Sequence, residues 1–514
     1  MICPTRIIKQ QKLPARLSCL PLLQTSHFTN SIIALISATD FSSLIFREFP
    51  YSPTPGQQNL IRRLADFMVS DQGQFPLFIL EGYAGTGKTT VVSTLVKALP
   101  KAGYSAILLA PTGRAAKVLS LYAQMPAYTI HKRLYRPAMD GDGHVHFQVM
   151  PNKAVRTLFI VDEASMIPDD RQTNEGGAFQ SRNLLEDLIG HVYSGENCKM
   201  LFLGDSCQLP PVGINQSPAL DTEMLRQSFY LDLDKFTLSD VVRQSLESGI
   251  LSVATGIRSK IHQPDSGSQL PLFGIENEFP DVVSITGTDM PDSMQQAFHD
   301  YGRENTVVIT RSNKRANLFN QAIRERILFH ENELAAGDHL MVVRNNYFWL
   351  PDESKAGFIA NGDIVEVQSL RRTEELYGFR FAEATVRMVD YPDEHTFDVK
   401  LLLDTLNSEG PALSYSDNQR LFNEVMADYM DEPSRRKRMA AIRKNPYYNA
   451  LQVKHASALT CHKTQGGQWD AVFIEKGFLK DEMIDNDYLR WLYTAVTRAT
   501  KKLFLINFEE RFFG

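Results

Sequence analysis

Cysteine is scarce, and poorly placed for either of its structural uses. The five in the chain (Cys3, Cys19, Cys198, Cys207 and Cys461) form no Cys-x-x-Cys pair and no Cys/His spacing of a zinc site. A zinc centre and a disulfide framework are excluded, and the odd, scattered count fits a reducing compartment. Long apolar runs are missing too. A membrane-spanning helix needs roughly 18–20 apolar residues, and the nearest stretch, Ser31 to Phe46, is broken by Asp40; no membrane partner is expected. There is no excess of positive charge: Lys and Arg total 54 against 60 Asp and Glu, a formal net charge of -6. A polyanion site must therefore be local rather than spread over the surface. Acidic residues are absent ahead of Asp40, where Arg6, Lys9, Lys12 and Arg16 are basic. Two readings account for that tail: an organelle-targeting segment, or coding sequence upstream of the true start. With no clear amphipathic period the second is favoured, so residues 1–39 are set aside from the fold and a bacterial cytoplasmic location is expected, organelle import being the alternative. What remains is ordinary globular chain. Of 514 residues 43% are hydrophobic and 22% charged, enough for two to four domains.

The strongest local signal is an apolar strand, Phe78-Ile79-Leu80-Glu81, followed by Gly82-Tyr83-Ala84-Gly85-Thr86-Gly87-Lys88-Thr89-Thr90 and then a helix-spaced run from Val91 to Leu99. Strand, GxxxxGK[ST] loop and helix together make a P-loop, and that context raises the pattern above a chance glycine-rich turn. Backbone N–H groups of the loop curl around phosphate, the helix N-terminus adds its dipole, Lys88 reaches the β- and γ-oxygens, and the Thr89 hydroxyl is placed to ligate Mg2+. A second buried strand, Thr157 to Val161, runs into Asp162-Glu163. A carboxylate at the strand end suits the metal's water shell, and Glu163, one residue on, suits the general base that polarises the attacking water.

A third strand, Met200 to Leu203, ends in Gly204-Asp205-Ser206-Cys207-Gln208-Leu209-Pro210-Pro211-Val212-Gly213. Here the chain resembles superfamily 1 helicases, specifically the RecD-like and Dda-like branch, whose third motif has this form. The resemblance implies that Gln208 senses the γ-phosphate. It extends over other segments in the family's order: Pro111-Thr112-Gly113-Arg114 and Thr129-Ile130-His131-Lys132 resemble motifs that lie along single-stranded DNA, and Leu238 to Gln244 resembles the segment carrying an arginine finger, Arg243. Ala458 to Gly467 and Tyr493 to Ala499 resemble motifs V and VI. By resemblance, Arg498 is the second phosphate-neutralising arginine, Gln465 and Gly466 join the nucleotide site, and Pro111, Thr112, His131, Thr460, His462 and Lys463 contact DNA. Gln57, in Thr54-Pro55-Gly56-Gln57, is similar to the adenine-reading glutamine, with Gln58 leaving the register open by one residue.

Alternating strands and helices from about 76 to 235, resumed at Asp281 to Thr286 and Thr306 to Arg311, predict an α/β fold of two RecA-like P-loop lobes. The first lobe, 40–235, contains an insertion at 136–153 with a DGDG turn, read as a hairpin. The resemblance makes it the pin that splits duplex. Phe147 either stacks on the junction base pair or anchors the hairpin to the lobe, two readings equally open here. The second lobe takes 236–330 and 450–514. Short alternating strands between 331 and 449 predict an inserted SH3-like β-barrel, followed by a basic segment, Arg435-Arg436-Lys437-Arg438, with Tyr447-Tyr448 behind it. That segment reads as a DNA contact or, slightly better, as a solvated helix face.

The resemblance covers residues 41–514 and implies an ATP- and Mg2+-dependent DNA helicase moving 5′ to 3′ on single-stranded DNA and opening duplex junctions in replication, recombination or repair. A freestanding monomer is expected, working beside replication or repair proteins, since no nuclease constellation is present. Two alternatives stay open: a single-strand-stimulated ATPase that remodels nucleoprotein without unwinding, and a non-catalytic, motor-like subunit of a larger complex.

Overall fold

The computed structural model describes residues 36–70, 73–139, 145–169, 183–240, 248–262, 270–271, 273, 279–351, 354, 356–391 and 394–513. Most of the basic N-terminal tail, the Asp140–Gly143 turn and Arg243 lie outside the described residues.

The first lobe is built on β1 (Pro76–Gly82), β2 (Ser105–Ala110), β3 (Ala127–Thr129), the hairpin β4 (Tyr135–Met139) and β5 (Val145–Val149), then β6 (Thr157–Val161), β7 (Lys199–Gly204) and β8 (Asp232–Leu238). Six of these form one parallel sheet in the order β3-β2-β6-β7-β1-β8. Strand periodicity of two explains its double-sided core. Phe78, Leu80, Leu158, Ile160, Leu201 and Leu203 face one side, against helices Pro55–Val69 and Lys88–Ala98. Leu77, Ile79, Phe159, Val161, Met200 and Phe202 face the other, against helix Leu184–Tyr193. Because both faces are buried, these strands read as unbroken apolar runs, and the polar residues gather at their carboxyl ends.

The hairpin pairs antiparallel, with Tyr135 opposite Val149 and Arg136 opposite Gln148. The second lobe opens with helix Gly249–His262, packed in the core of that lobe, and its first strands are β9 (Val282–Ile285) and β10 (Thr306–Thr310). Chain then leaves to form a closed barrel of β11 (His339–Val342), β12 (Ile364–Leu376), β13 (Phe379–Met388), β14 (Phe397–Leu402) and β15 (Leu451–His455). It returns as β16 (Ala458–Thr460), β17 (Trp469–Glu475) and β18 (Ala499–Ile506), which complete a parallel sheet in the order β16-β10-β17-β18-β9. Val307, Ile309, Val472, Ile474, Leu503 and Leu505 fill one face of it, and Val308, Ala471, Phe473, Phe504 and Ile506 the other.

Two mixed α/β lobes with a barrel match the expected fold class. One strand falls outside the expected bounds. β15, placed by its sequence at the start of the second lobe, closes the barrel by pairing antiparallel with β11 and parallel with β14. Its five residues are too short to reveal their partners, which lie about fifty residues back for β14 and over a hundred for β11. The basic segment forms helix Arg435–Lys444, capped by Ser434; Ile442 docks it on the barrel beside Phe379, Phe381 and Leu421, while Arg435, Arg436 and Lys437 are exposed.

Candidate active site

The P-loop turns between β1 and helix Lys88–Ala98. Gly85 and Gly87 have φ of +76° and +77°, a left-handed backbone that a Cβ disfavours, and Gly87 is the helix N-cap. The Lys88 ammonium spans the loop, donating to Gly82 O at 2.6 Å and Gly204 O at 3.0 Å, and so ties the ends of β1 and β7 together. Thr86 donates to Tyr83 O at 2.8 Å. Thr89 and Thr90 open the helix, the Thr90 carbonyl accepting from Ser93 and Thr94. Gln57, not Gln58, faces the loop: its amide donates to Thr86 O at 3.0 Å and accepts from Thr54 N at 3.0 Å in a capping box, while Gln58 turns back to Pro53 O.

At the end of β6, Asp162 is half-buried and accepts from Glu163 N at 2.9 Å. Burial, then the neighbouring Glu163, push its carboxyl up to about 6, against the pull of Lys88 and Arg498. Glu163 takes φ +50° at the entrance of the short turn Ala164–Met166, which turns its carboxylate toward the second lobe. At the end of β7, Asp205 is buried, and burial raises its carboxyl from the ordinary range. Its two oxygens accept from Cys207 N at 3.0 Å and the Tyr493 hydroxyl at 2.7 Å. Next to it Gln208 holds a buried amide oxygen with no hydrogen-bond partner.

The second lobe supplies helix Asn486–Val496 and the turn after it. Arg498 is 3% exposed. Its guanidinium is held by Thr494 O, Gly467 O and the Thr497 hydroxyl, and lies 3.7 Å from the Glu163 carboxylate. Thr494 Oγ1 accepts from Leu209 N at 2.8 Å. Gln465 and Gly466, expected on the nucleotide, both meet the first lobe. The Gln465 amide donates to Leu209 O at 2.7 Å, and Gly466 lies against Thr112 and Ala115, where an added Cβ would come within 2.7 Å of the Ala115 Cβ. Gly466 is thus required by the close approach of the two lobes.

The expected DNA-side residues lie on both lobes. Pro111 and Thr112 end β2, and Thr112 caps helix Gly113–Ala123 by accepting from Ala115 N. Arg114 lies 3.8 Å over the Trp469 ring and donates to Gln468 O. Thr129 caps the short helix Ile130–Leu134 that carries His131, whose imidazole is held neutral by burial, down to about 4. Lys132 crosses to the barrel, donating to Ala356 O at 2.8 Å. Thr460 precedes the short helix Cys461–Thr464, and His462 lies within it. Lys463 holds a buried ammonium with no hydrogen-bond partner, its proton weakened to about 8 by burial and by Lys454. Phe147 is 7% exposed, packed between Tyr135 and the barrel's Tyr347 with ring centroids 6.4 and 5.4 Å away. This corrects its place among the DNA contacts: the ring anchors the hairpin and has no face left for a base pair.

Sequence reasoning passed over Tyr493, Thr494, Asp205 and the Arg114–Trp469 stack. All four stand inside or beside motifs it had found, but their partners belong to the other lobe or to another strand end.

A P-loop on one parallel sheet, with its candidate general base facing an arginine from a second such sheet, defines a two-lobed P-loop motor ATPase. Domain profiles and relatives in sequence agree. An AAA domain profile matches residues 53–263, and a UvrD-like helicase C-terminal domain profile matches residues 455–506. The ATP-dependent DNA helicase dda of Enterobacteria phage T4 is 24% identical over 451 residues, 83% of this chain and 93% of that protein. The ATP-dependent RecD2 DNA helicase of Deinococcus radiodurans is 31% identical over 182 residues, 35% of this chain and 21% of that one. An uncharacterized Methanocaldococcus jannaschii protein, MJ1519, is 23% identical over 481 residues; the match takes 84% of this chain and spans 36% of that protein. Among solved structures, the Pif1 helicase from Candida albicans shares 15% identity at a TM-score of 0.41, over 90% of this chain and 96% of that one. The chain is thus similar to superfamily 1 helicases of the branch that holds the RecD-like and Dda-like proteins.

Proposed function

We propose that the protein is an ATP-dependent DNA helicase that moves 5′ to 3′ along single-stranded DNA and opens duplex at a junction, in replication, recombination or repair. The observation that carries this reading is the 3.7 Å approach of Arg498 to Glu163. The hydrolytic site is complete only when the two lobes meet, so hydrolysis and lobe movement are one event.

Lys88 leaves the carbonyls of Gly82 and Gly204 to hold the β- and γ-phosphates, and the P-loop N–H groups take the rest of that charge. Glu163 orients water for attack, and Arg498 stabilises the charge that develops on the γ-phosphoryl group. Arg243 is the second arginine assigned by its motif. The orphaned amide oxygen of Gln208 suits a hydrogen bond to the attacking water. Asp162 and Thr89 fit a Mg2+ ion, because a carboxyl pushed by desolvation up to about 6 is one that a cation would return to its anionic form. Bound there, the metal neutralises phosphate charge. Gln57 reads adenine by exchanging its hold on Thr86 O for the base.

On the DNA side, the unpartnered Lys463 ammonium awaits a phosphate oxygen, with Thr112, Thr460, His462 and neutral His131 beside the same path. Closing and reopening the lobes alternates the grip of these two groups on the strand. The test is a forked duplex bearing a 5′ tail, compared with 3′-tailed and blunt duplexes and with Lys88→Ala as control. Separation only from the 5′ tail is expected. DNA-stimulated hydrolysis without strand separation from any tail would leave a translocase and sink the helicase reading.

A further inference from the structure

Tyr493 lies on the last turn of helix Asn486–Val496, is 1% exposed, and sends its hydroxyl out of its own lobe. The single proton is donated to Asp205 Oδ2 at 2.7 Å, which leaves the oxygen to accept from the Ala84 backbone N–H of the P-loop at 3.1 Å. The other Asp205 oxygen accepts from Cys207 N, one residue before Gln208. A continuous line of hydrogen bonds therefore runs from the P-loop backbone, through one phenol of the second lobe, to the strand end that carries Gln208. Every member except the phenol belongs to the first lobe. Thr494 holds Leu209 N and Gln465 holds Leu209 O from the same side, so the second lobe clasps the Asp205–Leu209 turn at three points.

We infer that Tyr493 is a positioning residue for hydrolysis: it couples the shape of the P-loop to the placement of Asp205 and Gln208, and does so only while the lobes are closed. The inference rests on the ATPase reading above and assigns it a residue beyond Lys88, Glu163 and the arginines. The physical ground is the burial of Tyr493 and Asp205, beside a half-buried Ala84 N–H. Without the hydroxyl, a buried carboxylate oxygen loses its donor and the loop N–H its acceptor, so the closed state is penalised and Gln208 loses its fixed neighbour. Fold is spared, because the ring of a phenylalanine fills the same space.

The test uses the full chain. Tyr493→Phe, Asp205→Asn and the double variant are compared with wild type in single-strand-stimulated ATP hydrolysis. Tyr493→Phe is expected to lower kcat at least tenfold while KM for ATP moves less than threefold. The double variant is expected to lose no more than the worse single one, because both break one line of bonds. A merely structural tyrosine gives effects that multiply, and that result, or a kcat within twofold of wild type, overturns the inference. A second readout needs no turnover: the distance between fluorophores on Tyr230→Cys in the first lobe and Phe478→Cys in the second, both exposed positions, with Cys3 and Cys19 replaced by serine. Tyr493→Phe is expected to shift the nucleotide-free distribution to longer distances, and a distribution that superimposes on wild type refutes the latch. Absence of hydrolysis in wild type strikes the helicase reading instead, and the distance measurement still decides the role of Tyr493.

Discussion

Glu163 is held at φ +50°, a left-handed conformation that side chains other than glycine adopt at a cost. The following turn secures it, Met166 N donating to Glu163 O at 3.0 Å. Strain of this kind collects where a side chain must point against the run of the chain, and here it turns a carboxylate off the end of β6 toward Arg498. Glu163→Gln keeps the shape and removes the base. ATP hydrolysis is expected to fall by about 10²- to 10⁴-fold while nucleotide affinity is retained; steady-state turnover and equilibrium binding of a fluorescent ATP analogue check the two halves, and undiminished turnover moves the base elsewhere. The identity of the base was legible from a DE pair at a strand end. Its aim was not, because nothing in a single sequence marks a left-handed glutamate.

The barrel is joined to the first lobe by contacts of its own. Asp363, at the start of β12, is buried, with one oxygen accepting from Ala360 N and the other unpartnered against Gly113; an added Cβ at Gly113 would fall 2.4 Å from it. Asp390 pairs with Lys117 of helix Gly113–Ala123 at 3.2 Å. Burial, reinforced by Asp390, pushes the Asp363 carboxyl up to about 7. The folded protein then keeps this proton up to about pH 7, whereas the unfolded chain gives it up near 3.8, so this group lowers stability progressively as pH rises through that window. Asp363→Asn is expected to be more stable than wild type at pH 8, on the order of 2 kcal/mol after the unpaired amide N–H is discounted. The gain shrinks toward zero near pH 4, and urea denaturation across pH 5–8 checks the trend. His131 has the opposite sign. Its imidazole is held neutral down to about 4, so stability is lost as pH falls from 6.5 to 4. The β12 segment was legible as a strand from its alternation, but its burial against the motif that begins at Pro111 depends on a contact between residues 250 positions apart in the chain.

Across the whole molecule, a chain with a net charge of -6 carries its candidate DNA-facing cations in local features such as Lys463 and the helix Arg435–Lys444. A surface basic throughout would bind DNA non-specifically and with steep salt dependence, which suits a motor that must let go poorly. Lobe closure has a built-in reporter. Arg114 of the first lobe stacks at 3.8 Å on Trp469 of the second, and the chain has three tryptophans, Trp349, Trp469 and Trp491. With Trp349 and Trp491 replaced by phenylalanine, Trp469 emission is expected to change when nucleotide is added, and Arg114→Ala to abolish that change. A response that survives Arg114→Ala means the signal comes from somewhere other than the lobe interface.

By itself the sequence determined the two parallel sheets and the residues at their carboxyl ends. Strands buried on both faces must be apolar throughout, and a P-loop requires glycines and a lysine at set spacing, so both leave local patterns that no partner is needed to read. Only the tertiary structure decided which of those residues meet. It brought Tyr493 to the P-loop, set Gly466 against Thr112 and Ala115, buried Phe147 against Tyr347, and gave β15 to the barrel. Each of these depends on contacts between segments far apart in the chain, where a residue's neighbour is set by how two lobes pack and not by the residues beside it.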